Sequence, residues 1–455
     1  MTISLRLASV VAAIALLVAG LAGAFAQSTA GNAVGAPSKK SPARKRTAKR
    51  RPPAPAATAK QKKEAVERVS EYVAQAAQLP IENPATLIPF FEQLYRRQSG
   101  ELAGPVRILH YGDSHTAADE WTDAVRTALQ GKFGDGGSGY SLAGRPWKGY
   151  RRFDLRGGAS RGWRTEGTAG RLGDGLHGMG GVSIWTTRAR ESVFLQAECE
   201  LLELHYLQQP GGGRFQLSDN GELVDTISTD GPLLPGVFHY VAEAGKHRFE
   251  LATLDRAPVR LFGWVAEKEA GVTYEALGIN GAQASIVLTW DESALATQIA
   301  RRDPALIVLA FGTNDASDRN WNFDNYRRMF TTLLRRMRQA APAASLLVLG
   351  PPDRYYRSRG RWLPFHNLDR IVDAEREAAL GERSAFWDTR AQMGGSGAMR
   401  SWVIAGLAQR DHVHFTAGGY RRLGELLFRG LMTPYDAYLE ARAKIMEAPG
   451  HGASR

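Results

Sequence analysis

The stretch Val106-Arg107-Ile108-Leu109-His110-Tyr111-Gly112-Asp113-Ser114-His115 decides the fold. Its first six residues are mostly apolar and predict a buried strand, and the turn that follows leads into a helical pattern at residues 119–129. A serine at such a turn has its hydroxyl at the carboxyl edge of a parallel sheet, where open α/β folds bind ligands. Backbone N–H groups at the start of the helix would also receive an oxyanion there. Taken alone, Ser114 could equally cap the helix.

Strand and helix patterns alternate along much of the remaining chain. In chain order they predict helices at residues 64–78 and 84–97, a strand at 305–311, a helix at 324–341, a strand at 345–349, a helix at 371–380, a strand at 385–387 and a helix at 417–432. Such alternation is typical of a parallel sheet that is covered by helices on both faces. The sequence therefore predicts a three-layer α/β/α domain.

The pattern changes between residues 146 and 271. Short runs there alternate apolar with polar residues, and glycine-rich turns separate them. This half-buried antiparallel pattern is typical of a β-sandwich. We therefore predict a β-sandwich at 146–271, inserted into an α/β domain that comprises residues 64–145 and 272–447, with a disordered tail at 448–455. Cys199 lies in the insert and is expected to be a buried apolar residue.

The 455 residues carry a formal charge of +12, but the excess positive charge lies in one part of the chain. Twelve Lys and Arg residues and no Asp or Glu lie before residue 64, so residues 64–455 are formally neutral. The folded part is not a basic protein, and we expect no nucleic-acid partner. One cysteine excludes an internal disulfide and a cysteine-based zinc site.

The N-terminus predicts export. Arg6 precedes an apolar stretch at residues 7–21, and Ala24-Phe25-Ala26 has small residues at a cleavage spacing. We predict a signal peptide at residues 1–26 and a periplasmic or otherwise secreted protein with no integral membrane span after cleavage. The alternative is an uncleaved membrane anchor, although a span needs roughly 20 apolar residues.

Residues 27–63 consist largely of Ala, Pro, Lys and Arg and offer almost nothing to bury. Such a segment cannot offset the entropy of ordering, so we predict a disordered basic linker. Its charge would attach the protein to an anionic cell-envelope surface. The alternative is a solvated spacer.

Two further segments bring polar residues to the edge that carries Ser114. Asn314 follows the predicted strand at 305–311, and its amide is placed to donate to a developing oxyanion. Asp411 and His414 precede the last predicted helix, and their spacing lets the carboxylate reach one ring nitrogen while the other faces the serine. We predict a relay in which His414 takes the hydroxyl proton of Ser114 and Asp411 orients and stabilises the imidazolium.

The order of these blocks resembles the SGNH (GDSL-type) hydrolase family: Gly-Asp-Ser at 112–114, a glycine block at 278–282, Gly-x-Asn-Asp at 312–315 and Asp-x-x-His at 411–414. The resemblance covers residues 104–145 and 272–432, and it departs from the common pattern at His115, where many members have leucine. It implies a flavodoxin-like fold and a serine esterase that needs no cofactor and no metal. It also implies that Gly281, or in another alignment Gly278, lends a backbone N–H to the oxyanion hole.

Within this family the sequence is similar to the peptidoglycan O-acetylesterases of Gram-negative periplasms, which share the Gly-Asp-Ser-His block and a β-sandwich inserted after it. In that group the insert resembles a carbohydrate-binding module. The resemblance implies removal of acetyl from the C6 hydroxyl of N-acetylmuramic acid, so that O-acetylated polysaccharide is the expected partner. Trp147, Tyr150, Trp163 and Trp185 would then stack on sugar rings or belong to the core of the insert.

Other interpretations stay open at this point. Acetyl transfer to a glycan hydroxyl would use the same residues, although their order in the chain favours hydrolysis, and an inactive binding protein would keep only the fold. A dinuclear metallophosphoesterase would use Asp113, His115, Asp411 and His414 as ligands, but its additional Gly-Asp and Gly-Asn-His blocks are missing from the sequence. His115 and His412 are therefore expected to be structural or to lie at the rim of the site.

A Gly-x-Gly-x-x-Gly pattern at residues 134–139 follows a predicted helix instead of a strand. The dinucleotide-binding fingerprint requires a preceding strand. The segment is interpreted as a turn or loop near the rim of the active site.

Overall fold

The computed structural model describes residues 57–76, 80–318 and 320–447. The predicted signal peptide, residues 27–56 of the predicted linker and the predicted tail at 448–455 lie outside these residues. Helix α1 (Ala59–Ala76) begins before residue 63, where the sequence predicts the linker to end. Lys60 and Lys63 each lie 3.9 Å from a glutamate one helical turn later, so the end of the basic segment belongs to a helix.

The α/β domain is built on five parallel strands. They are β1 (Gly104–Gly112), β11 (Ala270–Gly278), β12 (Leu306–Ala310), β13 (Ser345–Gly350) and β16 (Ala385–Asp388). Their order across the sheet is β11-β1-β12-β13-β16, which is the flavodoxin-like arrangement. At the carboxyl edge, Gly112 lies opposite both Gly278 and Ala310. The predicted parallel sheet is confirmed.

Helices cover both faces of this sheet. After α1 they are α2 (Ile88–Gln98), α3 (Ser114–Ala117), α4 (Glu120–Phe133), α5 (Glu292–Arg302), α6 (Phe323–Ala340), α7 (Leu368–Gly381), α8 (Thr389–Gln392), α9 (Ala398–Ile404) and α10 (Ala417–Glu447), with 3₁₀ turns at Pro84–Leu87, Ala284–Thr289 and Asp315–Ser317. Successive residues of β1 point to opposite faces. Leu109 and Tyr111 join a core with α6 and α7, whereas Val106 and Ile108 join a core with α4 and α10. The three layers therefore form around two cores.

Between α4 and β11 the chain forms one antiparallel sheet of nine strands. They are β2 (Gly137–Leu142), β3 (Arg156–Ala159), β4 (Arg164–Glu166), β5 (Ser183–Thr186), β6 (Ser192–Gln208), β7 (Arg214–Asp219), β8 (Glu222–Ser228), β9 (Leu234–Thr253) and β10 (Val259–Glu267). The order is β4-β5-β10-β6-β9-β7-β8, with β2 on β10 and β3 on β6. The sequence predicts a β-sandwich here, and the structure has a single continuous sheet in which β6 and β9 pair along most of their length.

This sheet has a core of its own, which includes Cys199. Cys199 is 1% exposed, and burial raises the pKa of its thiol to about 12. The expectation that it is a buried apolar residue is confirmed.

The insert begins earlier than residue 146. Strand β2 pairs with β10, and its glycines Gly137 and Gly139 have φ values of 90° and 62°, which only glycine adopts readily. Such a glycine-rich strand has almost no β pattern to detect in the sequence. The segment 134–139 also contacts Val272 at the amino end of β11, far from the carboxyl edge. Its assignment to the rim of the active site is therefore wrong.

The chain returns to the parallel sheet beside the place where it leaves it. The Val272 N–H donates to the Gly134 carbonyl oxygen at 2.9 Å. Buried Arg302 lies 2.6 Å from Glu267 of β10 and also contacts Glu275 of β11, so an ion cluster joins the two sheets. Among the described residues, no helix combines the length and the apolar character needed to cross a bilayer.

Candidate active site

Ser114 is the first residue of α3 and is separated from the end of β1 by Asp113 alone. Asp113 caps this helix, because its Oδ1 accepts a hydrogen bond from the His115 N–H at 2.9 Å. Gly112 lets α3 approach the end of the sheet, since a Cβ there would clash with the Thr116 side chain of α3 and would lie 2.7 Å from the Ala310 carbonyl oxygen of β12. The half-buried Ser114 side chain is thereby held at the carboxyl edge.

His414 and Asp411 come from the loop before α10. Ser114 Oγ lies 2.8 Å from His414 Nε2, and His414 Nδ1 lies 2.8 Å from Asp411 Oδ2. The other carboxylate oxygen, Asp411 Oδ1, accepts the backbone N–H groups of Val413 and His414, each at 3.0 Å. The structure thus brings the three predicted residues into one hydrogen-bonded row.

The negative charge of Asp411 is stabilised in this row. Partial burial acts to raise the pKa of the carboxyl, but hydrogen bonds from the His414 side chain and from two backbone N–H groups outweigh it, and the pKa lies below its ordinary value. An ionised Asp411 accepts the hydrogen on His414 Nδ1, which leaves Nε2 free to accept the hydroxyl proton of Ser114. This arrangement can activate a serine for attack on an ester.

Asn314 and Gly281 lie in loops that are bonded to each other. Asn314 Nδ2 donates to the Ala282 carbonyl oxygen at 2.9 Å, and an amide nitrogen has a second hydrogen for another acceptor. Gly281 is exposed in the turn after β11, with φ of 75°. Gly278 has a different environment, because a Cβ there would lie 2.1 Å from the Ala117 backbone nitrogen. Gly278 lets β11 pack against α3, and Gly281 stays the predicted donor.

The buried Asp315 carboxylate is hydrogen-bonded to the same two loops. Its carboxylate accepts the N–H groups of Gly312 and Ala284, each at 3.1 Å. Burial raises the pKa of Asp315 to about 7. The last residue of the Gly-x-Asn-Asp block therefore positions the loops that carry Asn314 and Gly281.

Two features beside the row were not predicted from the sequence. Arg354 donates to the Thr313 carbonyl and to Ser317 Oγ, the latter at 3.2 Å, and so braces the loop that carries Asn314. A hairpin of β14 (Tyr355–Ser358) and β15 (Arg361–Pro364) contacts the loop before His414, where the Tyr355 N–H donates to the His412 carbonyl oxygen at 3.0 Å. Its Trp362 stacks on His412, with ring centroids 4.2 Å apart. No sequence motif marks either feature. Arg354 is a single side chain in an irregular segment, and Trp362 lies in a short hairpin.

His115 is structural. It is 4% exposed, its Nδ1 lies 2.9 Å from the Tyr420 hydroxyl, and burial lowers the pKa of its ring to about 3. Within residues 57–76, 80–318 and 320–447, no three His, Cys, Asp or Glu side chains group as a metal site. His115 and Asp411 are instead engaged by Tyr420 and His414.

The four aromatic residues singled out in the sequence divide into two kinds. Tyr150 is 6% exposed and belongs to the core. Trp147, Trp163 and Trp185 are each half-buried, and the Arg164 guanidinium lies 5.0 Å from the centre of the Trp185 ring. The three indoles therefore keep some exposed surface.

Comparisons with known proteins agree with this geometry. Residues 243–422 match the GDSL-like lipase/acylhydrolase family. A solved structure described as a peptidoglycan O-acetylesterase in action is 28% identical and covers 77% of this chain and 96% of that chain, with a TM-score of 0.67.

Family two carbohydrate esterases from Clostridium thermocellum and Cellvibrio japonicus are each 12% identical to this chain. They cover 56% and 63% of this chain and 95% and 99% of their own, with TM-scores of 0.28 and 0.27. No curated protein sequence matches significantly. The family match over residues 243–422, the parallel sheet and the similarity to the first of these structures together support an SGNH esterase.

Proposed function

We propose that this protein is an exported acetylesterase that removes O-acetyl groups from carbohydrate, with the C6 O-acetyl group of N-acetylmuramic acid in peptidoglycan as its substrate. The observation that carries the proposal is the hydrogen-bonded row of Ser114, His414 and Asp411. A row of this kind performs acyl transfer through a serine ester. The similarity to a peptidoglycan O-acetylesterase supports the choice of substrate.

In the first half of the reaction, Ser114 Oγ attacks the acetyl carbonyl carbon while His414 Nε2 takes the hydroxyl proton. Asp411 stabilises the imidazolium that forms. The carbonyl oxygen becomes an oxyanion and accepts hydrogen bonds from the Ser114 and Gly281 N–H groups and the Asn314 amide. The bond to the sugar oxygen then breaks, and that oxygen receives the proton from His414. The glycan leaves with a free hydroxyl, and acetyl-serine remains.

The second half repeats these steps with water as the nucleophile. His414 Nε2 takes a proton from water, whose oxygen attacks the acetyl carbon, and returns it to Ser114 Oγ as acetic acid leaves, which then loses its remaining proton to solvent to give acetate. No cofactor or metal is required for either half in this proposal.

The remaining parts of the chain are assigned to location and binding. The inserted domain is proposed to act as a carbohydrate-binding module that presents the glycan to the serine, and its half-buried tryptophans suit sugar stacking. The basic segment at 27–63 is proposed to hold the exported protein at an anionic envelope surface.

The test is acetate release from O-acetylated peptidoglycan, compared with acetylated xylan and with a chromogenic acetate. We expect the highest kcat/KM on peptidoglycan and no release by the Ser114→Ala variant. A preference for xylan would contradict the substrate, and accumulation of acetylated oligosaccharide in place of acetate would contradict hydrolysis.

A further inference from the structure

A cleft of about 450 Å³ opens on the inserted domain, and arginines dominate its lining. None of the described residues that line it is acidic. The lining arginines are Arg145, Arg151, Arg152, Arg156 and Arg248. We call this feature the arginine cleft. Clefts lined by charge of one sign concentrate ligands of the opposite sign.

These arginines differ in how far their charge is neutralised. Arg152 is buried and paired with aspartates beneath the cleft. Arg248 lies 3.2 Å from Glu250, but the two side chains are 43% and 42% exposed, so the pair is weak. Arg145 and Arg156 are exposed, and neither makes an ion pair or side-chain hydrogen bond with any other residue that the structure describes. At least three guanidinium groups are therefore available to an anionic ligand.

The cleft also has surfaces suited to a sugar ring. The Arg248 guanidinium lies 4.3 Å from the centre of the Phe194 ring, which holds its fork in place, and the Gln196 amide adds a neutral hydrogen-bonding group. A guanidinium fork matches the two oxygens of a carboxylate. The combination of guanidinium, aromatic and amide groups fits a carboxylate-bearing saccharide better than a neutral one.

The cleft is attached to the segment that follows the proposed nucleophile. Arg151 donates to the Ala118 carbonyl oxygen at 3.1 Å, and the Phe153 N–H donates to Asp119 Oδ2 at 2.8 Å. Residues 118 and 119 come directly after α3, which begins with Ser114. A glycan strand bound in the cleft is thus held by the same structure that positions the serine.

We propose that the arginine cleft binds carboxylate groups carried by the glycan, so that the enzyme selects acidic strands over neutral ones. This inference rests on the proposed function for the identity of the strand. The carboxylates of a peptidoglycan strand belong to lactyl groups or to stem peptides, and those of other acidic polysaccharides belong to uronic acids. All three present the same chemistry to the arginine forks.

The first test is calorimetric binding of the full chain to strands that carry no acetyl groups. The probes are peptidoglycan strands with stem peptides, strands freed of peptide, polygalacturonate and neutral N-acetylchitohexaose. We expect at least one acidic probe to bind about ten-fold or more tightly than chitohexaose, with an affinity that falls as the salt concentration rises. The acidic probe that binds most tightly identifies the source of the carboxylate. Equal binding of the neutral probe, or binding that is insensitive to salt, would overturn the inference.

The second test uses variants. We expect Arg156→Gln and Arg248→Gln each to weaken binding of the strongest acidic probe about ten-fold, the size of one lost charge-assisted hydrogen bond. Arg256→Gln, which removes an exposed arginine of the insert outside the cleft, is the matched control. Turnover of a chromogenic acetate should be unchanged in all three, which also shows that they fold.

An equal loss in Arg256→Gln would mean that only bulk charge matters and would overturn the inference. If a variant fails to fold, the salt dependence and the comparison of acidic with neutral probes, both measured on the wild-type protein, decide the inference. Because the binding probes carry no ester, an enzyme that released no acetate from any substrate would contradict the proposed function alone.

Discussion

Ser114 Oγ and His414 Nε2 lie 2.8 Å apart although 300 positions separate the two residues in the chain. A second contact reinforces this one, because His115 Nδ1 lies 2.9 Å from the hydroxyl of Tyr420 in α10. The residue after the serine is therefore bonded to the helix that follows the histidine. This pair of contacts holds the two distant segments together.

Removal of the hydroxyl or the imidazole should abolish this relay. We expect Ser114→Ala and His414→Ala each to lower kcat on an acetyl ester by several orders of magnitude, and Asp411→Asn by about 10⁴-fold, because the wrong tautomer of His414 is then favoured. The measurement is steady-state hydrolysis of a chromogenic acetate. The control is His239→Ala, since the side chain of His239 is 47% exposed on β9. Near-normal rates in Ser114→Ala would contradict the mechanism.

Loss of an oxyanion donor should lower kcat less than loss of the nucleophile does. We expect Asn314→Ala to lower kcat by about 100-fold or more, because one hydrogen bond to the developing oxyanion is lost. Asn325→Ala, at an exposed position of α6, is the matched control. If the two variants lose activity to the same small extent, Asn314 has no part in the oxyanion hole.

The two glycines Gly112 and Gly131 should respond oppositely to substitution by alanine. A Cβ at Gly112 would lie 2.7 Å from a backbone oxygen, whereas Gly131 lies in α4 with nothing within 4 Å of its Cβ position. We expect Gly112→Ala to lower the free energy of unfolding by more than about 2 kcal/mol, with a loss of activity. Gly131→Ala should raise it by about 0.5–1 kcal/mol. Urea unfolding of both variants checks the contrast, and equal stability of the two would contradict it.

The buried His110 should make the fold sensitive to acid. Burial lowers the pKa of its ring from 6.5 to about 3, while Tyr274 supplies a hydroxyl 2.8 Å from Nδ1. Between these pH values the unfolded chain binds the proton and the folded chain does not, so stability is lost as pH falls. The slope is up to about 1.4 kcal/mol per pH unit.

We expect the His110→Leu variant to lose that part of the slope when unfolding is measured between about pH 6 and pH 4. Identical slopes for His110→Leu and the wild type would show that His110 does not contribute.

Local patterns were sufficient to predict the parallel sheet and the row of three side chains. The apolar run of β1 ends at a glycine turn that places Ser114 at the edge of the sheet, and the short spacing of Asp411 and His414 lets their side chains meet. Strand β2 was missed because its glycines carry no alternating pattern. Its partner β10 lies more than 100 residues later, and no pattern in either segment predicts that the two strands pair.

The side chains that support the site could also not be predicted from the sequence. Arg354 acts on Thr313 through a contact that spans 41 positions. Trp362 reaches His412 from a short hairpin in which arginine and glycine interrupt the apolar residues. Such contacts depend on the assembled edge of the sheet, and neither residue belongs to a recognisable block.

The hydrogen bond between Gly134 and Val272 marks where the chain departs from the parallel sheet and where it comes back. Since the two ends of the excursion already touch, a short turn would join them without a shift of α4 or β11. The domain between them thus leaves and rejoins the α/β domain at a single place, beside the amino end of β11. The same junction is the place at which a turn would close the chain of a variant that lacks the insert.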